Sequence, residues 1–119
     1  AIFYYEKALQ LNPNMADALY NLSWIYVSNE KFRSGEKAVK LAEKLCRLQN
    51  YNQPLSLDVL AAAYAEAGKF DKAVLTAQEG LELSQKMGTK ELSPGLENRL
   101  KLYKARCPYR QTQPEKGNN

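Results

Sequence analysis

There is no histidine anywhere in these 119 residues. That absence excludes every Ser-His and Cys-His nucleophilic mechanism and most zinc hydrolysis, because each needs an imidazole as base or ligand. Only two cysteines are present, Cys46 and Cys107, far apart and in no CxxC pair, which leaves neither a disulfide framework nor a zinc site. They read as free thiols, at least one packed as a small hydrophobe. There is no P-loop, no GxGxxG and no G-x-S-x-G. No apolar run approaches the roughly 18 residues that cross a membrane, and no signal peptide is visible. Pairs such as Glu36 and Glu43, or Glu79 and Glu82, could share a helical face, but surface carboxylates are ordinarily solvated and nothing marks an acid–base pair. No enzyme, cofactor or metal is therefore expected.

What remains is ordinary for one globular domain: 45% hydrophobic and 25% charged residues, with a net charge of +4. The charge is unevenly placed. Residues 1–85 hold nine Lys/Arg and ten Asp/Glu, a net of −1, whereas residues 86–119 hold eight and three, a net of +5. The basic end reads either as a contact for an acidic partner or as a solvated terminal helix and tail, the ordinary state of charged ends. Neither nucleic-acid binding nor membrane contact is expected. The chain begins with Ala1 inside a helical pattern and lacks an initiator Met, which predicts a piece of a longer protein.

The strongest signal lies between Leu57 and Leu83. Leu57, Leu60, Ala61 and Tyr64 fall on one helical face. Gly68 suits a left-handed helix stop and Asp71 suits the N-cap of a second helix. In that helix Ala73, Ala77, Gly80 and Leu81 share a face of mostly small residues, which lets two backbones approach closely. The same order recurs earlier: Leu19, Leu22, Ser23 and Tyr26, a turn over Asn29–Phe32 without glycine, then Gly35, Val39 and Ala42. Ala8 to Ala42 is 34 residues, while Tyr26 to Tyr64 and Phe32 to Phe70 are each 38, placing an insertion of about one helical turn near Cys46–Gln53. The longer helix should end near Gln49, and Pro54 should open the next. Residues 1–14 supply a lone second helix closed by Pro13. Leu92, Leu96, Leu100 and Tyr103 mark a last helix, with a start at Ser93 as N-cap after a short helical turn.

These blocks resemble the tetratricopeptide repeat, W-x2-L-G-x2-Y then A-x3-F then P over about 34 residues. Leu57-x2-Leu60-Ala61-x2-Tyr64 and Ala73-x3-Ala77 fit it, with Leu for Trp and Ala for Gly and Phe. The resemblance implies an all-α, right-handed superhelical solenoid of antiparallel helix pairs, in two and a half repeats plus a C-terminal capping helix. Its divisions are a half repeat at 1–14, repeats at 16–49 and 54–87, a capping helix at 89–106, and a disordered basic tail at 107–119, the disorder setting in beyond about Arg110. It also implies a protein–protein interaction module, a scaffold or substrate recruiter that binds a peptide or helix in a concave groove lined by the first helix of each pair.

The groove positions are those left over from the packing face. The first repeat contributes Asp17, Tyr20, Asn21, Trp24, Val27 and Ser28. The second contributes Leu55, Asp58, Val59, Ala62, Ala65 and Glu66. Trp24, one turn beyond Tyr20, reads either as an aromatic anchor for a partner or as packing against a neighbouring helix. A clamp for a C-terminal carboxylate is not expected, since only Asn21 fits it and Asp58 and Glu66 carry the wrong sign. The first helix, without a preceding partner, should leave Ala1, Ile2, Tyr5 and Leu9 uncovered, so self-association through it is expected. Within residues 38–110, Leu60–Val74 (L-A-x-A-Y-A-E-A-G-x-F-D-x-A-V) and Leu100–Arg110 (L-x-L-Y-x-A-x-x-P-Y-R) also resemble C-terminal repeats of prokaryotic proteins, some fused to a membrane domain similar to protein O-mannosyltransferases. That resemblance implies an alternative role, as a regulatory or substrate-recruiting end of a larger membrane-bound glycosyltransferase. The location would then be extracytoplasmic rather than cytoplasmic.

Overall fold

The computed structural model describes residues 1–110. Six α-helices make up the body: α1 (Ile2–Leu11), α2 (Ala16–Ser28), α3 (Gly35–Leu48), α4 (Pro54–Glu66), α5 (Phe70–Lys86) and α6 (Ser93–Lys104). A single 3-10 turn, Lys90–Leu92, precedes α6. Each helix packs on the next in the chain. In addition α2 touches α4, and α4 touches α6, whereas among the described residues α1 does not reach α3 and α3 does not reach α5. The first helices of the pairs are thus crowded and the second helices splayed. This difference curves the stack and makes α2, α4 and α6 its inner wall.

The core follows the small residues. Ala38, Ala42, Ala61, Ala63 and Ala73 are fully enclosed, with Leu19, Leu45, Val27 and Val59 filling the space they leave. Helix α4 sits at the centre, and ten of its 13 residues are buried, from Pro54 to Ala65. That explains why its sequence carries no polar stripe: no side of it faces open water. At the opposite extreme, α1 has no buried residue.

Tyr26 and Tyr64, the aromatic of each first helix, are held alike. The Tyr26 hydroxyl donates to Glu6 of α1 at 2.9 Å, and the Tyr64 hydroxyl donates to Glu43 of α3 at 2.7 Å. A lysine ammonium from the second helix of the same pair lies over each ring, Lys37 at 5.4 Å and Lys72 at 5.5 Å. Each tyrosine therefore joins its own pair to the preceding helix. Burial first, and then the neighbouring glutamate, raises both phenol pKa values above their ordinary range.

Several expected details differ. Helix α5 begins at Phe70 with Lys69 as N-cap, so Asp71 lies inside the first turn, where a carboxylate favours the positive helix end. Ser93 is the first residue of α6 rather than its cap, because the 3-10 turn already holds Leu92 in helical geometry. The turn between α2 and α3, lacking glycine, is built instead from Asn29, whose side chain accepts from the Lys31 amide at 3.0 Å. Ser34 then caps α3 by accepting from the Lys37 amide. Ile2, Tyr5 and Leu9 of α1 pack partly against the core. It is Phe3 (75% exposed), Tyr4 and Leu11 (82%) that stand in water, because α2 takes the side expected to be bare.

Candidate partner-binding groove

The inner wall carries the predicted groove residues, but the chain itself already uses several of them. Tyr20 and Trp24, one turn apart on α2, meet edge to face with ring centroids 6.4 Å apart, and both are half-buried. Trp24 also meets Tyr109 edge to face at 5.8 Å. The guanidinium of Arg99, from α6, lies over the Tyr109 ring at 5.3 Å. The same guanidinium forks onto Asp58 of α4, its Nε donating to Oδ1 and its Nη2 to Oδ2, each at 2.8 Å. Arg110 pairs with Glu66 at the end of α4, and Arg33 approaches the same carboxylate at 4.0 Å. Segment 108–110 therefore runs back along the inner wall, with an aromatic at Trp24 and a cation at Glu66.

This return is set by the end of α6. Arg106 takes a left-handed conformation with φ 63°, its amide donates to Tyr103 O, and the Cys107 amide donates to Leu102 O. That pair of bonds is the Schellman helix stop, made here without glycine. Tyr109 and Arg110 find partners on α2, α4 and α6; the disorder expected beyond about Arg110 falls on residues 111–119, which lie outside the described residues.

Among the other predicted positions, Asp17 and Leu55 are exposed at the starts of α2 and α4. Asn21 donates its side-chain amide to Asp17 O at 2.8 Å, a local bond within its own helix. Val27 and Ala62 are wholly enclosed in the core, and Asp58 is 4% exposed beneath Arg99, so none of the three offers a surface to a partner in this arrangement. The correction has one cause: α4 is flanked on the inner side by both α2 and α6, which bury positions that would line an open wall. Burial is the largest influence on the Asp58 carboxyl and raises its pKa. Arg99 pulls the other way and is itself held charged.

The residues missed in the sequence are Arg99, Tyr103, Tyr109 and Arg110, all supplied by the C-terminal end. Tyr103 is fully buried in α6, and among the described residues its hydroxyl has no hydrogen-bond partner. The signal that could have found the others was the charge imbalance: the +5 end belongs opposite Asp58 and Glu66. Among the described residues no three His, Cys, Asp or Glu side chains lie close enough to hold a metal ion, and no helix is long and apolar enough to cross a membrane.

The returning segment is held by small terms. An edge-to-face pair contributes about 1 kcal/mol and a cation over a ring about 1 kcal/mol. The Arg110–Glu66 pair, with Arg110 substantially exposed, adds at most about 1 kcal/mol. Ordering Tyr109 and Arg110 costs about 1–2 kcal/mol of backbone entropy per residue. Gain and cost nearly cancel, so the segment can leave.

Residues 4–37 match the family model described as tetratricopeptide repeat. The matched span starts in α1, contains all of α2 and ends in the first turn of α3. It does not bear on the membrane-domain fusion that the sequence resemblance implies. No curated protein and no solved structure matches the chain. Tetratricopeptide repeats generally mediate protein–protein interaction and are typically not enzymes. The matched span is similar to a tetratricopeptide repeat, and the antiparallel pairs α2–α3 and α4–α5 stacked in series make the described residues an all-α helical-repeat solenoid of that kind.

Proposed function

We propose that the chain is a non-catalytic recruitment module, whose concave inner wall holds a peptide or helical segment of another protein around Tyr20 and Trp24. One observation supports this above the rest: the wall already accommodates a segment of polypeptide, with Tyr109 against Trp24. Aromatic residues of this kind dominate interface energetics. Replacing both Tyr20 and Trp24 by Ala should weaken a purified partner more than tenfold in a titration, with helicity by circular dichroism unchanged. Normal binding by the double variant would remove the groove as the site.

A second contact is self-association through α1. Phe3, Tyr4 and Leu11 form an exposed apolar surface on the one helix that buries none of its residues.

A further inference from the structure

The segment on the inner wall has a chemistry of its own. Its ring is approached by the edge of Trp24 and the cation of Arg99, and both contacts rely on an aromatic quadrupole that Leu or Ile lacks. The next residue presents a guanidinium to Glu66, whose side chain is 12% exposed. With that guanidinium gone, Glu66 would keep, among the described residues, only Arg33 at 4.0 Å. A ligand that covered this carboxylate without a cation would leave it buried and poorly paired, which is costly. The two subsites are occupied by consecutive residues of one returning segment, so the matching ligand is a stretch of polypeptide.

We propose that the groove recognises a protein segment in which an aromatic residue is followed directly by Arg or Lys, and that Tyr109–Arg110 is the chain's own copy of that motif, which the partner must displace. The proposal rests on the groove reading above and names its ligand. The internal copy competes, so it lowers the apparent affinity by the fraction of molecules in which the groove is closed. It also rejects ligands that offer only one of the two groups.

The test uses the full chain and an opened form carrying Tyr109→Ala and Arg110→Ala. The probe is a labelled peptide repeating residues 105–112 with serine for cysteine. Because the gain and cost of closure nearly cancel, the opened chain should bind it about two- to fivefold more tightly than the wild type. Peptides with Leu for the tyrosine, or Glu for the arginine, should each lose at least tenfold. Glu66→Lys in the opened chain should reverse the preference between the Arg and Glu peptides. Arg110→Glu alone gives a second, milder opening, and circular dichroism confirms that each variant keeps its helices. Equal binding by wild-type and opened chains, or tolerance of Leu at the aromatic position, would overturn the proposal. A random-peptide display on the opened chain and on its Trp24→Ala counterpart separates the two levels. Trp24-dependent peptides sharing an aromatic–basic pair support the proposal. Trp24-dependent peptides without the pair overturn it and leave the groove in place. An absence of Trp24-dependent peptides overturns both.

Discussion

Two glycines with the same apparent purpose behave differently once their surroundings are measured. A Cβ on Gly35 would lie 2.4 Å from the Ala67 nitrogen and 2.6 Å from its Cα, which is backbone and cannot step aside. A Cβ on Gly80 would lie 3.3 Å from the Leu57 Cβ, tight enough that the neighbour must give by a few tenths of an ångström, and 3.6 Å from Pro54 O. Gly35→Ala should therefore destabilise by about 1–3 kcal/mol, the usual range for overpacking. Gly80→Ala should be close to neutral, because the helix-propensity gain of about 1 kcal/mol offsets the squeeze. Urea midpoints for the two variants decide the matter; equal shifts would mean that the α3–α4 approach is looser than described. The cysteines differ as sharply. Cys107 is exposed, while Cys46 is fully enclosed, its thiol donating to Ser56 O at 3.5 Å. Burial, and then the charges of Glu43 and Glu79, push the Cys46 thiol from 9.0 up to about 12. A folded pKa above the unfolded one gives stability that is complete below pH 9 and lost as pH rises towards 12. The stability difference between wild type and Cys46→Ala should thus shrink by about 1.4 kcal/mol per pH unit above pH 9. A constant difference between pH 8 and pH 10.5 would contradict the enclosed thiol.

Four helices, α3 to α6, end in one way: a left-handed residue one place beyond the cap and two return hydrogen bonds. Asn50, Gly68, Gly88 and Arg106 occupy that place. Gly68 and Gly88 adopt it without strain, whereas an L-residue such as Arg106 bears roughly 1–2 kcal/mol. At Arg106 the conformation aims Tyr109 at Trp24, so it can be tested through the segment it directs. Arg106→Pro cannot reach positive φ and has no amide to donate. It should release Tyr109, shifting the emission of Trp24, the single tryptophan, to that of Tyr109→Ala while α-helical content stays the same. If the emission of the Pro variant matches wild type instead, something other than the α6 stop holds the segment.

Across the whole molecule, stability is graded from the centre outward, as expected for a stack in which each helix rests on its neighbours. Helix α4 is enclosed by α2, α3, α5 and α6, while α1 touches α2 alone among the described helices. Amides of α4 should exchange with solvent only on global unfolding and those of α1 much sooner. If the proposed self-association occurs, α1 amides should slow as concentration rises. Phe3→Ser with Leu11→Ser should then abolish any concentration-dependent mass in sedimentation equilibrium. Protection in α1 that is strong and independent of concentration would rule the association out.

The sequence alone determined the helices, their pairing and most of their ends. Leu60, Tyr64 and Ala77 fall on fixed spacings that only an α-helix turns into a face, Gly68 admits left-handed backbone, and within a helix Pro54 fits only the first turn. Those constraints act within a few residues, and so they are written locally. The family resemblance implied that Tyr20 and Trp24 line the groove, as positions of α2 left over from the packing face. What only the tertiary structure decided is which wall positions remain available. Val27, Asp58 and Ala62 look open along their own helices and are closed because α2 and α6 flank α4 on the same side. Nor does any spacing announce that Arg99 will fork onto Asp58, 41 residues away, or that Arg110 will reach Glu66 across 44. Such pairings depend on the curvature accumulated over two stacked pairs and the capping helix and on one left-handed residue at Arg106, and curvature is a sum over interfaces that no single stretch of sequence contains.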